Sequence, residues 1–180
     1  KGSILNCEAP APVASRAATF IRVMDVITGT LSTARPNALP AAGCGQAIVV
    51  SLSAVDPKSG KRKVGVIEPV LGGSGGRPMR DGVDGMDFAV GHMRNVPVEV
   101  TEADMPGIVE NYGLRKDSFG HGRYRGGAGV YLKFKNLGPD TIVSARNMER
   151  NHFQPWGRLG GTAGRLSLFL KISRLSVKIF

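Results

Sequence analysis

The sequence predicts a β-rich α+β fold, with mixed or antiparallel sheets, one long N-terminal helix and glycine-rich loops. The chain has 180 residues and is 42% hydrophobic, which is enough for the core of one domain. Its 25 glycines and 11 prolines are typical of many turns and loops rather than of a helical bundle. A single stretch has helical periodicity, whereas several short stretches alternate apolar and polar residues, so we expect more strand than helix.

The helical pattern runs from residue 12 to residue 34. Pro12 suits a first helical turn, and Pro36 enforces an end soon after Ala34. Apolar residues recur there at steps of three and four, which predicts an amphipathic helix that packs on the rest of the chain. These positions are Val13, Ala17, Phe20, Ile21, Met24, Ile27 and Leu31.

Strands are predicted wherever apolar residues alternate. Residues 46–55 and 64–71 flank a turn at Asp56–Lys61 and predict a β-hairpin with a basic tip. Lys and Arg at such a tip favour solubility and discourage edge pairing, although an anion-binding role stays open. Residues 104–111 are expected to form a short helix or turn. Further strands are predicted at residues 96–102, 112–116, from Val130 onward, at 142–145, and in two phases after Leu166.

The densest run of glycines lies at residues 72–85, where six of the fourteen residues are Gly. The run lacks the Gly-Lys-Ser/Thr of a P-loop and fails the dinucleotide fingerprint Gly-x-Gly-x-x-Gly at Pro78. Successive backbone N–H groups in such a loop can form an anion-binding nest, which Arg77 and Arg80 would strengthen. The alternative is structural: Asp81 and Asp84 pair with these arginines and cap turns.

The chain is strongly basic, with a net charge of +10 and a pI of about 10.1. Such a surface attracts polyanions, and residues 123–127 contain an Arg-Gly-Gly sequence, so a nucleic-acid-binding protein is one alternative function. A second alternative is a structural interaction segment without catalysis, whose strands pair with other parts of its own subunit.

No run of about 18 apolar residues is present, so we expect no membrane-spanning helix. Cys7 and Cys44 match no metal or redox spacing, which favours a reduced, cytoplasmic setting.

An ordered series of motifs resembles the hydantoinase B/oxoprolinase family, specifically the C-terminal part of its B-type subunit. The resemblance covers about residues 2 to 164, and its specificity comes from the order of the blocks. The blocks are Ala41-Ala42-Gly43, Gly72–Pro78 with Asp81-Gly82 and Asp84-Gly85, Asn95–Glu99, Asp117-Ser118, Arg125-Gly126-Gly127, Glu149-Arg150 and Pro155-Trp156-Gly157.

The resemblance implies hydrolysis of cyclic amides: hydantoins, 5-oxoproline or related lactams. It implies a hydantoinase A-type partner that binds ATP and phosphorylates the substrate carbonyl oxygen, after which the B-type subunit completes hydrolysis. It also implies a divalent metal bound by an N-terminal portion that this sequence does not contain, so we expect no cofactor or metal site in this segment. The resemblance gives no reason to expect a specific nucleic-acid or membrane partner.

These considerations select candidate site residues and a division of the chain. We expect Arg77 to hold an anion, with Asp81, Asp84 and Asn95 orienting it or binding neighbouring backbone, and Arg125 and Glu149 contributing less. Residues 1–164 are expected to form the family domain. Residues 165–180 are expected to be an atypical tail, basic and aliphatic, as a truncated or frame-shifted reading would produce. The isolated chain is expected to be inactive.

Overall fold

The computed structural model of the chain describes residues 2–3, 6–13, 16–86, 95–171 and 176–179. In chain order the elements are helix α1 and strands β1 and β2, then helix α2, strands β3, β4 and β5, a short 3-10 helix, and strands β6 and β7. The described residues thus form more strand than helix, in antiparallel sheets, which confirms the predicted α+β class.

Helix α1 spans Arg16–Ala34. Its end confirms the prediction from Pro36, whereas its start lies four residues after Pro12, with residues 14 and 15 outside the described chain. The apolar stripe differs from expectation, because Phe20, Ile27 and Leu31 are about half exposed. The helix docks instead through a narrower face that carries a carboxylate and small residues. This face comprises Ile21, Asp25, Gly29 and Ser32.

The first sheet contains the predicted hairpin. Strand β1 (Ala47–Val55) pairs antiparallel with β2 (Arg62–Leu71) on one side and with β5 (Ile142–Arg146) on the other. Alternate residues of β1 are buried, so the period-2 pattern read from the sequence is also the burial pattern.

The second sheet has the order β3-β4-β7-β6, with each pair antiparallel. Strand β3 spans Gly107–Leu114 and β4 spans Val130–Asn136, while β6 (Phe169–Lys171) and β7 (Ser176–Ile179) come from the stretch after residue 164. That stretch therefore contributes a strand paired directly with β4. The division of the chain at residue 164 stays a prediction.

The hydrophobic core joins the two sheets. Leu52 and Val50 of β1 and Phe134 of β4 are at most 1% exposed, and they belong to one cluster with residues of β2. Met105, which follows α2, also belongs to this cluster, and its side chain packs on Gly65 of β2. This core fixes the positions from which the glycine-rich segments leave the strands.

Two predictions between the sheets are wrong. Residues 96–102 alternate, yet the structure has helix α2 at Val98–Asp104, which starts directly after Pro97 and carries Glu99 in its first turn. Proline before a first turn and an acidic residue within it both favour helix, and a short alternating run does not outweigh them. Residues 104–111 were expected as helix or turn, yet residues 107–111 form the first part of β3, which also contains the predicted strand start at Tyr112.

Candidate functional site

The glycine-rich segments pack against one another at one end of the two sheets. We call residues 41–44, 72–76, 81–85, 118–129 and 155–164 the glycine layer. Backbone hydrogen bonds hold these segments side by side. They run from the N–H of Cys44 to the carbonyl of Gly73 (2.8 Å), from Gly127 to Ser74 (2.8 Å), from Gly82 to Arg125 (2.7 Å) and from Thr162 to His121 (2.8 Å).

Glycine is required in this layer because backbone lies directly on backbone. A Cβ atom on Gly73 would overlap the carbonyl oxygen of Gly127, and one on Gly75 would overlap that of Ala41. A Cβ on Gly127 would in turn overlap the carbonyl of Val83. The glycines of residues 72–76 therefore serve close packing, since none of them has the positive φ that would call for glycine on conformational grounds.

Ser74 lies at the centre of the layer and is 6% exposed. Its N–H donates to the carbonyl of Val83 (3.0 Å), its hydroxyl accepts the N–H of Val83 (2.7 Å), and its carbonyl accepts the N–H of Gly127 (2.8 Å). Ser74 thus links its own segment by hydrogen bonds to the segments that contain Val83 and Gly127. The loop at residues 72–85 is folded tightly. Residues 87–91, which continue the loop, lie outside the described chain.

Asp84 and Arg125 join two segments of the layer by a two-pronged ion pair. Arg125 donates from Nη1 to Asp84 Oδ1 (2.7 Å) and from Nη2 to Oδ2 (3.1 Å), and Asp84 Oδ1 also accepts the N–H of Ala128 (2.7 Å). The bonds from Arg125 and then Ala128 lower the pKa of Asp84, while the Asp84 carboxylate raises the pKa of Arg125. Two of the predicted site residues therefore hold the layer together.

Arg77 and Asp81 lie in the turn beside this pair. Arg77 donates from Nε and Nη2 to the backbone carbonyl of Asp81 (3.1 and 2.9 Å), and Asp81 Oδ1 accepts the N–H of Arg125 (2.9 Å). Of the five predicted site residues whose side chains are described, Arg77 alone lines the large cavity described below. Its role in holding an anion stays a prediction.

The remaining candidates lie elsewhere. Asn95 lines a small cavity of about 20 Å³ beside Val70 and Thr101, and its buried Oδ1 has no hydrogen-bond partner among the described residues. Glu149 begins the 3-10 helix Glu149–Asn151, and its side chain lies outside the description. The structure therefore does not gather the six residues into one cluster.

Arg150 connects α1 to the glycine layer, a role that sequence reasoning missed. Its side chain is buried, and it donates from Nη2 to Asp25 of α1 (3.1 Å) and to the carbonyl of Gly43 (3.2 Å). Its Nε donates to the carbonyl of Cys44 (2.7 Å). Position 150 lies within the motif Glu149-Arg150, but no local pattern shows that its partner stands 125 residues earlier.

A cavity of about 810 Å³ opens on the glycine layer. Its walls come from the segments at 72–79, 118–129 and 155–167, together with residues 36–46 after α1. A volume of this size suits a small-molecule ligand. The sequence predicted an anion-binding nest at the glycine-rich loop but gave no sign of the arginines that the later segments bring to the cavity, among them Arg158 and Arg165.

The described residues offer no metal site. Among them, no group of three His, Cys, Asp or Glu side chains could hold a metal ion. The divalent metal implied by the resemblance therefore does not fit these residues, and we assign no step to it.

Comparison with known proteins identifies a family. The sequence profile of the hydantoinase B/oxoprolinase family matches residues 1–178. The resemblance inferred from the motif series is thereby confirmed, and the match extends beyond residue 164, where that series ends.

Three curated relatives are similar in sequence to most of this chain. An uncharacterized protein of Methanocaldococcus jannaschii is 36% identical, over 90% of this chain and 27% of its own. The 5-oxoprolinase PfmaA of Pestalotiopsis fici is 30% identical, over 91% of this chain and 12% of its own. Caprolactamase subunit beta of Pseudomonas jessenii is 27% identical, over 76% of this chain and 24% of its own. The chain thus spans about a quarter or less of the relatives it matches.

A solved structure of acetone carboxylase, determined without nucleotide, shares the fold. It superposes with a TM-score of 0.57 at 18% identity, covering 77% of this chain and 18% of the other. The likeness supports the architecture described above.

Proposed function

The chain belongs to the hydantoinase B/oxoprolinase family, and from this premise we propose that it is the C-terminal part of a B-type subunit that hydrolyses cyclic amides. The substrates are hydantoins, 5-oxoproline or related lactams. The observation that carries the proposal is the family match along residues 1–178. The names of two relatives, a 5-oxoprolinase and a caprolactamase subunit beta, support the substrate class.

The proposed reaction needs a second, hydantoinase A-type subunit. That subunit uses ATP to phosphorylate the carbonyl oxygen of the substrate, and the B-type subunit then completes the hydrolysis of the carbon–nitrogen bond. Two similar proteins support a partnered, ATP-using system: the caprolactamase relative is a beta subunit, and acetone carboxylase carries out an ATP-dependent carboxylation. This chain alone is expected to be inactive.

The arginines of the cavity wall supply positive charge for an anionic intermediate. A phosphorylated substrate carries negative charge, which fixed backbone N–H groups and guanidinium groups stabilise without having to reorganise. We propose that Arg77 faces this charge from the cavity wall. Asp81, Asp84, Arg125, Asn95 and Glu149 stay candidates for positioning, with the Asp84–Arg125 pair keeping the turn that carries Arg77 in place.

We propose the cytoplasm as the location, because ATP is available there and thiols stay reduced. Among the described elements, no helix is both long enough and apolar enough to span a bilayer.

The structure weakens the nucleic-acid alternative, because the Arg-Gly-Gly sequence that suggested it is held in the packed glycine layer. Arg125 of the Arg-Gly-Gly sequence is bound to Asp84, and Gly127 packs on the carbonyl of Val83, so neither is available as a flexible nucleic-acid-binding element.

A chimera tests the proposal. Residues 1–178 replace the matching segment of caprolactamase subunit beta, and the product is assayed with ATP and the partner subunit of that enzyme. We expect ATP-dependent ring opening by the chimera and none by the isolated 180-residue chain. A chimera that folds and assembles but opens no ring would overturn the proposed function, and turnover by the isolated chain would overturn its inactivity.

Two arginine variants of the active chimera then test the predicted role of Arg77. Arg77→Ala should lower kcat/KM about tenfold or more, because it removes one charged donor from the site. Arg62→Ala, at the hairpin and outside the cavity lining, should leave kcat/KM unchanged. Equal activity of the two variants would show that Arg77 does not hold the anion.

A further inference from the structure

The charge that lines the large cavity has one sign. Among the described residues of its wall there is no Asp, Glu or Lys, although the sequence contains 14 acidic residues. The charged side chains that line the cavity are six arginines, accompanied by one histidine, His121. The arginines are Arg77, Arg115, Arg123, Arg150, Arg158 and Arg165.

The protein compensates only part of this charge from within. Arg150 is ion-paired with Asp25, and the guanidinium of Arg123 lies over the ring of Tyr124, 5.5 Å from its centroid. Arg77 is held by the carbonyl of Asp81. A carbonyl or a ring stabilises a guanidinium but does not neutralise it, so the wall keeps an excess of positive charge.

Arg158 has an unused donor. Its Nη2 donates to the carbonyl of Ser32 in α1, while its Nη1 is buried and has no hydrogen-bond partner among the described residues. A buried charged donor without a partner is costly, and it is relieved when an acceptor binds. Arg158 is also fixed in direction, because α1 holds the other arm of its guanidinium.

Arg165 stands beside a like charge. The N–H of Arg165 donates to the carbonyl of Ser118 (2.9 Å), and Nη1 of Arg115 donates to the carbonyl of Leu166, the residue that follows (2.7 Å). Burial, and then the charge of Arg165, lower the pKa of Arg115. Both arginines line the cavity, and an anion bound there would reduce the repulsion between their like charges.

We propose that this cavity is an oxyanion-binding site, with Arg158 and Arg165 as its charged anchors. The ligand carries a carboxylate or a phosphate, because planar guanidinium groups match the oxygens of both. The inference rests on the proposed function only for the choice of probes. Oxyanion binding itself is a property of this chain and requires neither a partner subunit nor turnover.

Calorimetric titration of the purified 180-residue chain at low ionic strength, in a buffer free of oxyanions, tests the proposal. The probes are inorganic phosphate, 5-oxoproline, and 2-pyrrolidinone, which has the same lactam ring without the carboxylate. We expect saturable binding of phosphate, of 5-oxoproline or of both, and no binding of 2-pyrrolidinone. Tighter phosphate binding points to a phosphoryl group as the natural anion, and tighter 5-oxoproline binding points to a substrate carboxylate.

Three variants assign the binding to the cavity. Arg158→Lys and Arg165→Gln should each weaken binding about tenfold, because the first replaces a planar, two-pronged guanidinium by an ammonium group and the second removes a charged donor. Arg62→Gln removes an arginine outside the cavity, and its affinity should match the parent chain. Arg165 is exposed, so Arg165→Gln keeps the test decisive if Arg158→Lys loses its fold, as checked by circular dichroism. Absence of binding by both oxyanions, unchanged affinity in Arg165→Gln, or an equal loss in Arg62→Gln would overturn the proposal.

Discussion

The hydrophobic core and the glycine layer hold this molecule together in opposite ways. In the core, side chains such as Phe134 and Leu52 fill the space between two sheets and are at most 1% exposed. In the glycine layer, segments far apart in sequence touch through backbone atoms, and side chains are absent where they touch. The core buries apolar surface, whereas the layer brings arginines to the wall of a cavity.

The two regions therefore have opposite sensitivities to side-chain size. Removing atoms from a well-packed core leaves a cavity and lowers stability. Adding one carbon to the glycine layer forces backbone segments apart. Alanine, the usual probe of side-chain contributions, thus makes a core residue smaller and a layer residue larger.

The largest expected effect comes from Gly73→Ala. The new Cβ would overlap the carbonyl oxygen of Gly127, so the two segments must separate and the bond from Gly127 N–H to Ser74 is strained. We expect the free energy of unfolding to fall by about 3 kcal/mol, measured by urea denaturation.

The matched control is Gly129→Ala in the same layer. A Cβ on Gly129 would lie 3.7 Å from its nearest neighbour, the hydroxyl of Ser118, which is ordinary contact. This variant should keep the stability of the parent chain or gain slightly, because alanine reduces the entropy of the unfolded chain. Equal losses in both variants would show that close backbone packing is not what requires glycine at position 73.

This contrast also explains how far the sequence could be read. Strands β1 and β2 could be predicted because alternation records which side chains face the core, and the burial of β1 follows that alternation. The glycine-rich run at 72–85 could be identified as a loop and a candidate anion-binding nest, but its partners at 41–44 and 120–127 could not be predicted. A glycine has no side chain whose polarity could indicate what it packs against. The segments that contact this loop lie some thirty to fifty residues away in the chain.

The candidate site was predictable to the same limited extent. Arg77 was found because it lies inside a glycine run, and it does line the cavity. Arg158 and Arg165 line the same cavity. In the sequence, however, Arg158 lies in another glycine-rich segment and Arg165 begins the stretch predicted to be a basic tail, so neither position indicated a site. Helix α2 was missed for a different reason. Val96, Val98 and Val100 alternate as in a strand, and this pattern was given more weight than Pro97, which precedes the helix.

A smaller effect is expected from Asp84→Asn. The folded-state pKa of Asp84 lies below its unfolded value of about 3.9, so its ion pair stabilises the fold above that pH. As the pH falls through the folded-state pKa, this stabilisation is lost. Because Asp84 is one third exposed, we expect Asp84→Asn to lower the free energy of unfolding at pH 7 by about 1 kcal/mol.

Urea denaturation of parent and variant between pH 7 and pH 3 checks the sign. The difference between them should be largest at pH 7 and should shrink below about pH 4. Asp104→Asn, an exposed residue at the end of α2, serves as control and should change stability little at either pH. A difference that grows toward acid pH would contradict the role assigned to the Asp84–Arg125 pair.

Hydrogen exchange of the backbone amides tests most directly whether the glycine layer is a rigid packed unit. The amides of Ser74, Gly82 and Gly127 donate to backbone carbonyls of neighbouring segments at 3.0, 2.7 and 2.8 Å. They should exchange as slowly as the slowest amides of strand β1, because they open only when the whole domain unfolds. Exchange at the rate of an unstructured peptide, while β1 stays protected, would contradict the account.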